Sequence, residues 1–231
     1  MRTLAPALLA SLALAAPAAA APRVEVLVVG KSAVLADGKR VPQRAVTVRA
    51  SGRRCRVGEQ TPLAALVRTG LPLRIRDYGS CGRRARDGGG LFVRRIGPDA
   101  NRGADGWVYK TGRRTGSVGA GDPSARVRAG GRVLWFWCVS GSGGCQRTLA
   151  VVPAARSVAP GAALRVTVRG YDDSGRGIAV PGATVRFGDS VATTGDDGTA
   201  VLTAPAGAGR HRLVAERPGM VRSFAERVAV G

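Results

Sequence analysis

The sequence predicts an α+β domain followed by an all-β domain. Residues 106–112 (GWVYKTG) and 130–138 (GGRVLWFWC) are aromatic and β-branched runs bounded by glycines, which is typical of strands. One helical stretch, TPLAALVRTG at residues 61–70, lies upstream of both runs. Beyond residue 154, short alternating runs recur without a helical pattern. Strands with one helix, followed by strands alone, indicate two different architectures.

The predicted elements of the first domain are one helix and several short strands. Thr61 is the expected N-cap, with Pro62 in the first turn and Gly70 at the C-terminal end. Leu63, Leu66 and Val67 recur at helical spacing and form the expected core face. We expect strands at residues 24–29, 45–50, 73–78, 91–96, 107–110 and 133–138. One helix lying across a mixed sheet of such strands is a β-grasp-like arrangement.

The second domain is predicted to be a β-sandwich. Its alternating runs are LRVTVRGYDD, ATVRFGDS, TAVLTAPAG, HRLVAERPG and ERVAVG, with turn residues between them. Pro153 and Pro160 mark a boundary within residues 150–163. The predicted domains are therefore residues 22–150 and 154–231, and we expect the second to fold on its own.

Five stretches of the first domain resemble a known family. VTVRA, TPLAALVRTG, LFVRRIG, GWVYKTG and GGRVLWFWC, in that order, are similar to the transcobalamin C-terminal-like domain of unknown function, DUF4430. That resemblance covers roughly residues 24–149 and implies a β-grasp-like fold. The family's Asn-Gly turn is Thr111-Gly112 here, and its Gly-Asp is Gly130-Gly131, so a role for that aspartate does not carry over. Transcobalamin's large helical domain is absent, so the resemblance implies no cobalamin binding.

The second domain has a resemblance of its own. PGATVRFG at 181–188, TTGDDGTAVLTAP at 193–205 and AGRHRLVAERPGM at 208–220 resemble bacterial Ig-like and carboxypeptidase-regulatory-like modules. Such modules usually serve as spacers or adhesion units. The resemblance implies an Ig-like β-sandwich.

The N-terminus predicts export. Arg2 precedes an apolar stretch from Leu4 to Ala16, and residues 18–20 supply the small side chains of a signal peptidase site. We expect a signal peptide at residues 1–20 and a mature chain beginning at Ala21. The apolar stretch is shorter than the roughly 20 residues of a membrane span, and the C-terminal RVAVG is not an apolar tail. We expect a secreted protein without a membrane anchor, with association with the cell wall as one option.

Four cysteines fit an oxidising compartment and predict two disulfides. Cys138 and Cys145 flank the flexible loop VSGSGG, so we pair them, which leaves Cys55 to pair with Cys81. Both Cys55 and Cys81 lie in Arg- and Gly-rich segments that we interpret as loops. Zinc is the alternative, but the spacing is not finger-like and the chain's one histidine, His211, lies in the other domain. We predict no metal and no cofactor.

Positive charge is concentrated in the first domain. Residues 22–150 carry 25 basic and 8 acidic side chains, a net charge of +17, and residues 151–231 carry 10 and 7, a net charge of +3. Such a field attracts anionic partners, which outside a cell are wall polymers, lipid headgroups and extracellular DNA. Nucleic acid is the weaker choice because no known reading motif is present. A solvated basic surface without a ligand is the open alternative. The predicted basic patch consists of Arg53, Arg54, Arg56, Arg83, Arg84, Arg94, Arg95, Arg113 and Arg114.

Four aromatic residues are candidates for a small-ligand platform. Side chains alternate along a strand, so Trp107 and Tyr109 share one strand face, and Trp135 and Trp137 share another. The alternative, which we favour, is that all four rings fill the core between sheet and helix.

The sequence offers little support for catalysis. Asp172-Asp173 and Asp196-Asp197 lie in glycine-containing turns, where aspartate caps its own backbone, and their spacing is not that of an EF-hand. His211 lies on a predicted strand without triad partners nearby in sequence. We therefore predict a non-enzymatic binding or scaffolding protein at the bacterial cell envelope, acting through anionic wall polymers or another envelope protein. The alternative is an extracytoplasmic small-ligand carrier that uses the β-grasp-like domain, and an unrecognised enzyme is third.

Overall fold

The computed structural model describes residues 21–231, which form mostly β-structure arranged in four sheets. The predicted signal peptide, residues 1–20, lies outside the described residues. No helix within residues 21–231 is long and apolar enough to cross a membrane.

The first half of the chain contains ten strands, the helix α1 (Pro62–Val67) and a 3-10 helix at Ala85–Gly90. The strands are β1 (Arg23–Val29), β2 (Val34–Pro42), β3 (Val46–Ala50), β4 (Arg53–Val57), β5 (Leu73–Asp77), β6 (Leu91–Ile96), β7 (Asp99–Ala100), β8 (Gly106–Thr111), β9 (Arg114–Thr115) and β10 (Arg132–Cys138). They form two five-stranded sheets. Sheet I has the order β2-β1-β10-β8-β9, and sheet II has the order β4-β3-β5-β6-β7.

The middle strands of sheet I, β1 and β10, are parallel to each other. Trp135 on β10 faces the core of the first half, whereas Leu134 and Phe136 face a second apolar cluster on the other side. Strands buried on both faces are continuously apolar instead of alternating, which explains the run RVLWFWC.

The strands of the first half divide between two sheets, whereas the sequence predicted one mixed sheet. Helix α1 has six residues and is about 9 Å long at 1.5 Å per residue, whereas five strands about 4.8 Å apart span about 19 Å. The helix therefore cannot cover sheet I alone. The inner face of sheet II covers the rest, and Val48 and Val93 of sheet II join Val26, Leu66 and Trp135 in one core.

The helix begins as the sequence predicted. The hydroxyl group of Thr61 accepts a hydrogen bond from the backbone N–H of Ala64 at 3.2 Å, and Pro62 occupies the first turn. Leu63 and Leu66 are fully buried. Gly70, just beyond the helix, has a φ of +79°, which glycine adopts without strain.

Two of the longer strands of the first half, β2 and β4, lie where none was predicted. Strand β2 is polar over much of its length and is interrupted by register shifts against β1, so its apolar alternation is weak. Strand β4 was interpreted as a loop because of its arginines. Its burial does alternate, since Cys55 and Val57 point inward while Arg54 and Arg56 point outward.

The second half is a β-sandwich, an architecture compatible with the Ig-like module predicted from the sequence. Its strands are β11 (Thr148–Pro153), β12 (Ser157–Val158), β13 (Ala163–Tyr171), β14 (Gly177–Ala179), β15 (Thr184–Phe187), β16 (Ser190–Thr193), β17 (Thr199–Thr203), β18 (Gly209–Glu216) and β19 (Glu226–Val230). In sheet III, β13 pairs with β11, β14 and β17, and sheet IV has the order β12-β19-β18-β15-β16. Side chains from both sheets, among them Val166, Leu202, Phe187 and Leu213, form one core. The predicted boundary segment, residues 150–163, contains β12 and most of β11.

The outer face of sheet I joins the two halves. Leu27, Leu134 and Phe136 of sheet I pack with Val221 and Phe224 of the second half. The halves therefore share an apolar interface in addition to the chain that connects them.

A buried lysine crosses the same interface. The ammonium group of Lys110 donates to the Thr148 hydroxyl at 3.2 Å and to the carbonyls of Tyr171 and Asp172 at 3.2 and 2.9 Å. The carboxylate of Asp173 lies 3.9 Å from the same ammonium nitrogen. The three N–H donors of the Lys110 ammonium group thus have three acceptors, so none of them is buried without a hydrogen bond.

Candidate functional site

The outer face of sheet II gathers arginines from four adjacent strands. Strands β3 and β4 are antiparallel, with Arg49 opposite Arg54 and Thr47 opposite Arg56. Their inward side chains, such as Val48 and Cys55, belong to the core, so the alternate positions face solvent.

Strands β5 and β6 extend this surface. Arg74 and Arg76 on β5 are exposed, as are Phe92 and Arg94 on β6, and Arg76 lies directly opposite Phe92. Beyond the end of β5, Tyr78 continues the same alternation and is exposed. We call this surface the arginine face, and it consists of Arg49, Arg54, Arg56, Arg74, Arg76, Tyr78, Phe92 and Arg94.

Two exposed aromatic rings lie within the arginine face. Tyr78 is 59% exposed and Phe92 is 42% exposed. Their ring centroids are 5.9 Å apart, in an edge-to-face arrangement. The guanidinium group of Arg76 lies 4.7 Å from the centroid of the Tyr78 ring, and a guanidinium N–H of Arg94 donates to the Tyr78 hydroxyl at 3.4 Å. Cation–π contact and stacking thus hold these side chains in one layer.

The positive charge of the arginine face is not neutralised within the protein. In the described part of the chain, no carboxylate lies within 4 Å of any of its six guanidinium groups. The nearest acidic residue along β5 is Asp77, whose carboxylate accepts hydrogen bonds from the backbone N–H groups of Gly79 and Cys81. Like charges directly opposite on a sheet, such as Arg49 and Arg54, are destabilising. A bound polyanion would remove that repulsion.

A disulfide extends the arginine face at its edge. Cys55 on β4 is bonded to Cys81, which is the predicted pairing, and the N–H of Arg56 donates to the carbonyl of Gly82 at 2.9 Å. The exposed Arg83 and Arg84 therefore lie beside the edge strand β4. The other predicted disulfide, Cys138–Cys145, is also present, so no thiolate remains for the zinc alternative.

The predicted basic patch is only partly gathered in one place. Arg54, Arg56 and Arg94 lie on the arginine face, Arg53 is exposed at the β3–β4 turn, and Arg83 and Arg84 lie at the edge.

Arg95 lies on β6 directly opposite Arg74, and its guanidinium group donates to the carbonyl of Gly97. Two members of the patch lie elsewhere. Arg113 stacks on Tyr171 in the second half at 4.7 Å. Arg114 packs against Gly175 in the second half. A Cβ atom added at Gly175 would lie 2.8 Å from the Cγ atom of Arg114.

Sequence reasoning missed five members of the arginine face: Arg49, Arg74, Arg76, Tyr78 and Phe92. It selected neighbouring arginine pairs, whereas residues on one face of a strand are two positions apart. The pattern RIRDY at 74–78 contained that signal.

The four aromatic residues of the predicted ligand platform lie in the core. Trp107 and Trp137 pack edge to face at 5.8 Å, and Tyr109 lies 5.5 Å from Trp135. All four are less than 10% exposed. Trp137 also lines a cleft between the two halves.

Three of these rings have internal partners for their polar atoms. Trp107 donates to the carbonyl of Asp99 at 2.8 Å, Tyr109 donates to that of Val118 at 2.8 Å, and Trp135 donates to that of Pro62 at 3.3 Å. Burial also raises the pKa of the Tyr109 phenol. The rings therefore act as core side chains, as favoured from the sequence.

Asp172, Asp197 and the histidine have structural partners. Asp172 accepts from the Ser174 hydroxyl and the Arg176 N–H, and Asp197 accepts from Thr199. A ring nitrogen of His211 lies 2.8 Å from the carbonyl of Gly207. In residues 21–231, no three His, Cys, Asp or Glu side chains are grouped as a metal site requires.

The comparisons with known proteins identify no family. No family model matches the chain, and no curated protein matches it. Among solved structures, the D00-D0 domain of Intimin is 15% identical, covering 88% of this chain and 95% of that one, with a TM-score of 0.26. That TM-score is too low to indicate a shared fold.

Proposed function

We propose that this is an exported, non-enzymatic protein that binds anionic polymers of the cell envelope through the arginine face. The observation that carries the proposal is the set of six arginines without carboxylate partners on one face of sheet II. A face four strands wide is about 15 Å across. Several successive anionic groups of an extended polymer fit on such a surface.

The exposed rings suit a polymer that carries apolar groups as well as negative charge. Tyr78 and Phe92 add apolar area between the arginines, against which sugar rings or the carbon backbone of a polyol phosphate can pack. Wall polymers that alternate phosphate with glycerol or sugar units present both features. The two disulfides agree with an oxidising, extracytoplasmic location.

The first half is, in this proposal, a β-grasp-like domain related to the transcobalamin C-terminal-like family. Support comes from sheet I, in which β1 pairs with β2 on one side and with the parallel strand β10 on the other. Side chains of β1 and β10 pack with those of α1 in one core. The second half is an Ig-like spacer or adhesion module that presents the first half to the wall.

Charge-neutralising variants test the proposal. In the mature protein, Arg54→Gln, Arg76→Gln and Arg94→Gln are combined, and binding to poly(glycerol phosphate) is measured from low to physiological salt. The plot of log K against log salt has a negative slope, and each polymer phosphate that loses its arginine partner makes that slope less steep by about 0.7. The steepness should therefore decrease by about 2 in the triple variant. At physiological salt, the affinity should fall about tenfold or more.

The matched control removes the same charge from the second half. Arg165, Arg210 and Arg227 are exposed and have no ion pair among the described residues, so their triple glutamine variant should bind within about twofold of the parent protein. Equal losses in both variants would show that only net charge matters and would reject the arginine face. Single-stranded DNA serves as a second polyanion. Stronger retention of DNA than of the wall polymer would assign the surface to nucleic acid instead.

A further inference from the structure

A cleft of about 980 Å³ lies between the two halves, away from the arginine face. Three segments form most of its lining: residues 29–34 between β1 and β2, residues 139–146 around the Cys138–Cys145 disulfide, and residues 216–222 from the end of β18 onward. Trp137 on β10 and Thr184 and Arg186 on β15 complete it. Cavities of about 300–1,000 Å³ are typical of small-molecule sites.

The charged lining of the cleft is mainly cationic. Lys31, Arg186, Arg217 and Arg222 line it, against the single carboxylate of Glu216. Arg222 pairs with Asp37 at 3.4 Å and with Glu216 at 3.7 Å. No carboxylate in residues 21–231 lies within 4 Å of the other three cations, so they are available to an anion.

One cation is held against an aromatic ring. The ammonium group of Lys31 lies 4.2 Å from the centroid of the Trp137 ring, and its backbone N–H donates to Asp99 at 3.0 Å. The residue is thus fixed at its backbone, while its charge lies at the wall of the cleft.

Apolar groups complete the lining. Val139 is 58% exposed, Val34 is also exposed, and Met220 and the Cys145 end of the disulfide lie nearby. A Cβ added at Gly143 would meet nothing within 4 Å, so the disulfide loop leaves open space there.

The cleft is preformed because its two walls are fixed to each other. The Lys110 hydrogen bonds and the apolar cluster around Phe136 join the halves beside it. Arg212 and Arg222 of the second half both pair with Asp37 on β2. A rigid cleft lowers the entropic cost of binding.

We infer that this cleft binds a small organic anion, a molecule with an apolar body and one carboxylate, phosphate or sulfonate group. The anionic group lies against Lys31 and Arg186, and the apolar body lies against Val34, Val139 and the disulfide loop. This site is independent of the polymer-binding proposal. It relocates the small-ligand alternative from the buried aromatic rings to the interface of the two halves.

Fluorescent probes that differ in charge test the inference on the mature protein. Anilinonaphthalene sulfonate carries an apolar body and one anionic group, and N-phenylnaphthylamine is its neutral counterpart. One molecule of the sulfonate should bind per protein, about tenfold or more tighter than the neutral probe, because one favourable charge contact changes affinity by about that factor. Equal affinity for both probes would overturn the proposal.

Two variants locate the binding site. Gly143→Trp should place an indole ring in the cleft beside the disulfide loop and weaken sulfonate binding about tenfold or more. Gly207→Trp is the matched control, because Gly207 in the second half also has nothing within 4 Å of an added Cβ. Unchanged melting temperatures show that both variants are folded, and equal sulfonate affinity in both would place the site elsewhere.

A charge variant keeps the test decisive if Gly143→Trp does not fold. Lys31→Glu combined with Arg186→Glu should abolish the preference for the sulfonate over the neutral probe. The arginine-face triple variant should leave sulfonate binding unchanged. A loss of binding in that variant would assign the probe to the exposed Tyr78 and Phe92 and reject the cleft.

Discussion

Lys110 is a single residue on which the junction of the two halves depends. Its side chain is fully buried, and its three hydrogen-bond acceptors all belong to the second half. Burial lowers the pKa of its ammonium group below the usual 10.5, although attraction by Asp173 and Asp172 opposes that shift. A buried charge of this kind is stabilising only while its partners are present.

Lys110→Met should therefore destabilise the protein by about 2–4 kcal/mol, since the substitution removes the three hydrogen bonds that the ammonium group donates across the interface. Chemical denaturation at neutral pH measures the loss. Lys31→Met, at an exposed lysine whose ammonium group contacts the Trp137 ring, should change the free energy of unfolding by less than about 1 kcal/mol. Equal effects at the two positions would show that the Lys110 contacts contribute nothing particular.

The lowered pKa also gives this residue a pH signature. Between the depressed pKa in the folded state and 10.5, the unfolded chain binds more protons than the folded one, so stability attributable to Lys110 rises with pH. Below the depressed pKa that contribution is constant. The stability difference between the parent protein and Lys110→Met should therefore grow as pH rises through this window. A difference that shrinks there would contradict the buried, desolvated ammonium group.

At the scale of single elements, the two disulfides stabilise different surfaces. Cys55–Cys81 spans 26 residues and holds Arg83 and Arg84 beside β4, whereas Cys138–Cys145 spans 7 and shapes the cleft. Each pair therefore fixes a loop that belongs to one of the two proposed binding surfaces.

Replacing each pair with serines should separate stability from binding. Loop-closure entropy predicts a loss of about 3.5 kcal/mol without Cys55–Cys81 and about 2.5 kcal/mol without Cys138–Cys145. The first variant should also bind poly(glycerol phosphate) more weakly, because the loop that carries Arg83 and Arg84 is released. The second variant should retain polymer binding, and each protein is compared by denaturation and by polymer titration. Equal polymer binding in both variants would exclude the loop from the polymer surface.

Elements with strong local signals could be predicted from the sequence, and those without could not. Helix α1, β6 and the runs of the sandwich have capping residues or clear alternation, and the structure contains them. Strand β4 was missed because its exposed positions carry arginine, which hides an inward alternation of only Cys55 and Val57. The division into two sheets depends on contacts between distant strands, such as Ala50 beside Ile75. Predicting the arginine face from the sequence would have required knowledge of the same contacts between distant strands.

At the scale of the whole molecule, strand β11 lies immediately before residue 154, where the sequence predicted the second domain to begin. Strand β11 begins at Thr148 and pairs with β13 along six residues. Leu149 and Val151 on β11 are buried in the core of the sandwich. A second domain that starts at residue 154 would lack this strand and expose one edge of β13.

Two fragments of the second half, one with β11 and one without it, should therefore differ in stability. A fragment of residues 148–231 should melt cooperatively, whereas residues 154–231 should be destabilised by several kcal/mol, because two core side chains and a strand's hydrogen bonds are lost. Thermal melting followed by circular dichroism distinguishes them.

Within the longer fragment, Val151→Ala should cost about 2–3 kcal/mol, whereas Val152→Ala, at a position 49% exposed, should cost less than about 0.5 kcal/mol. If both fragments melt alike and the two valine variants are equal, β11 is dispensable, and the domain does begin after Pro153. If neither fragment melts cooperatively, the sandwich depends on the interface around Lys110 and Phe136, and the two halves fold as one unit.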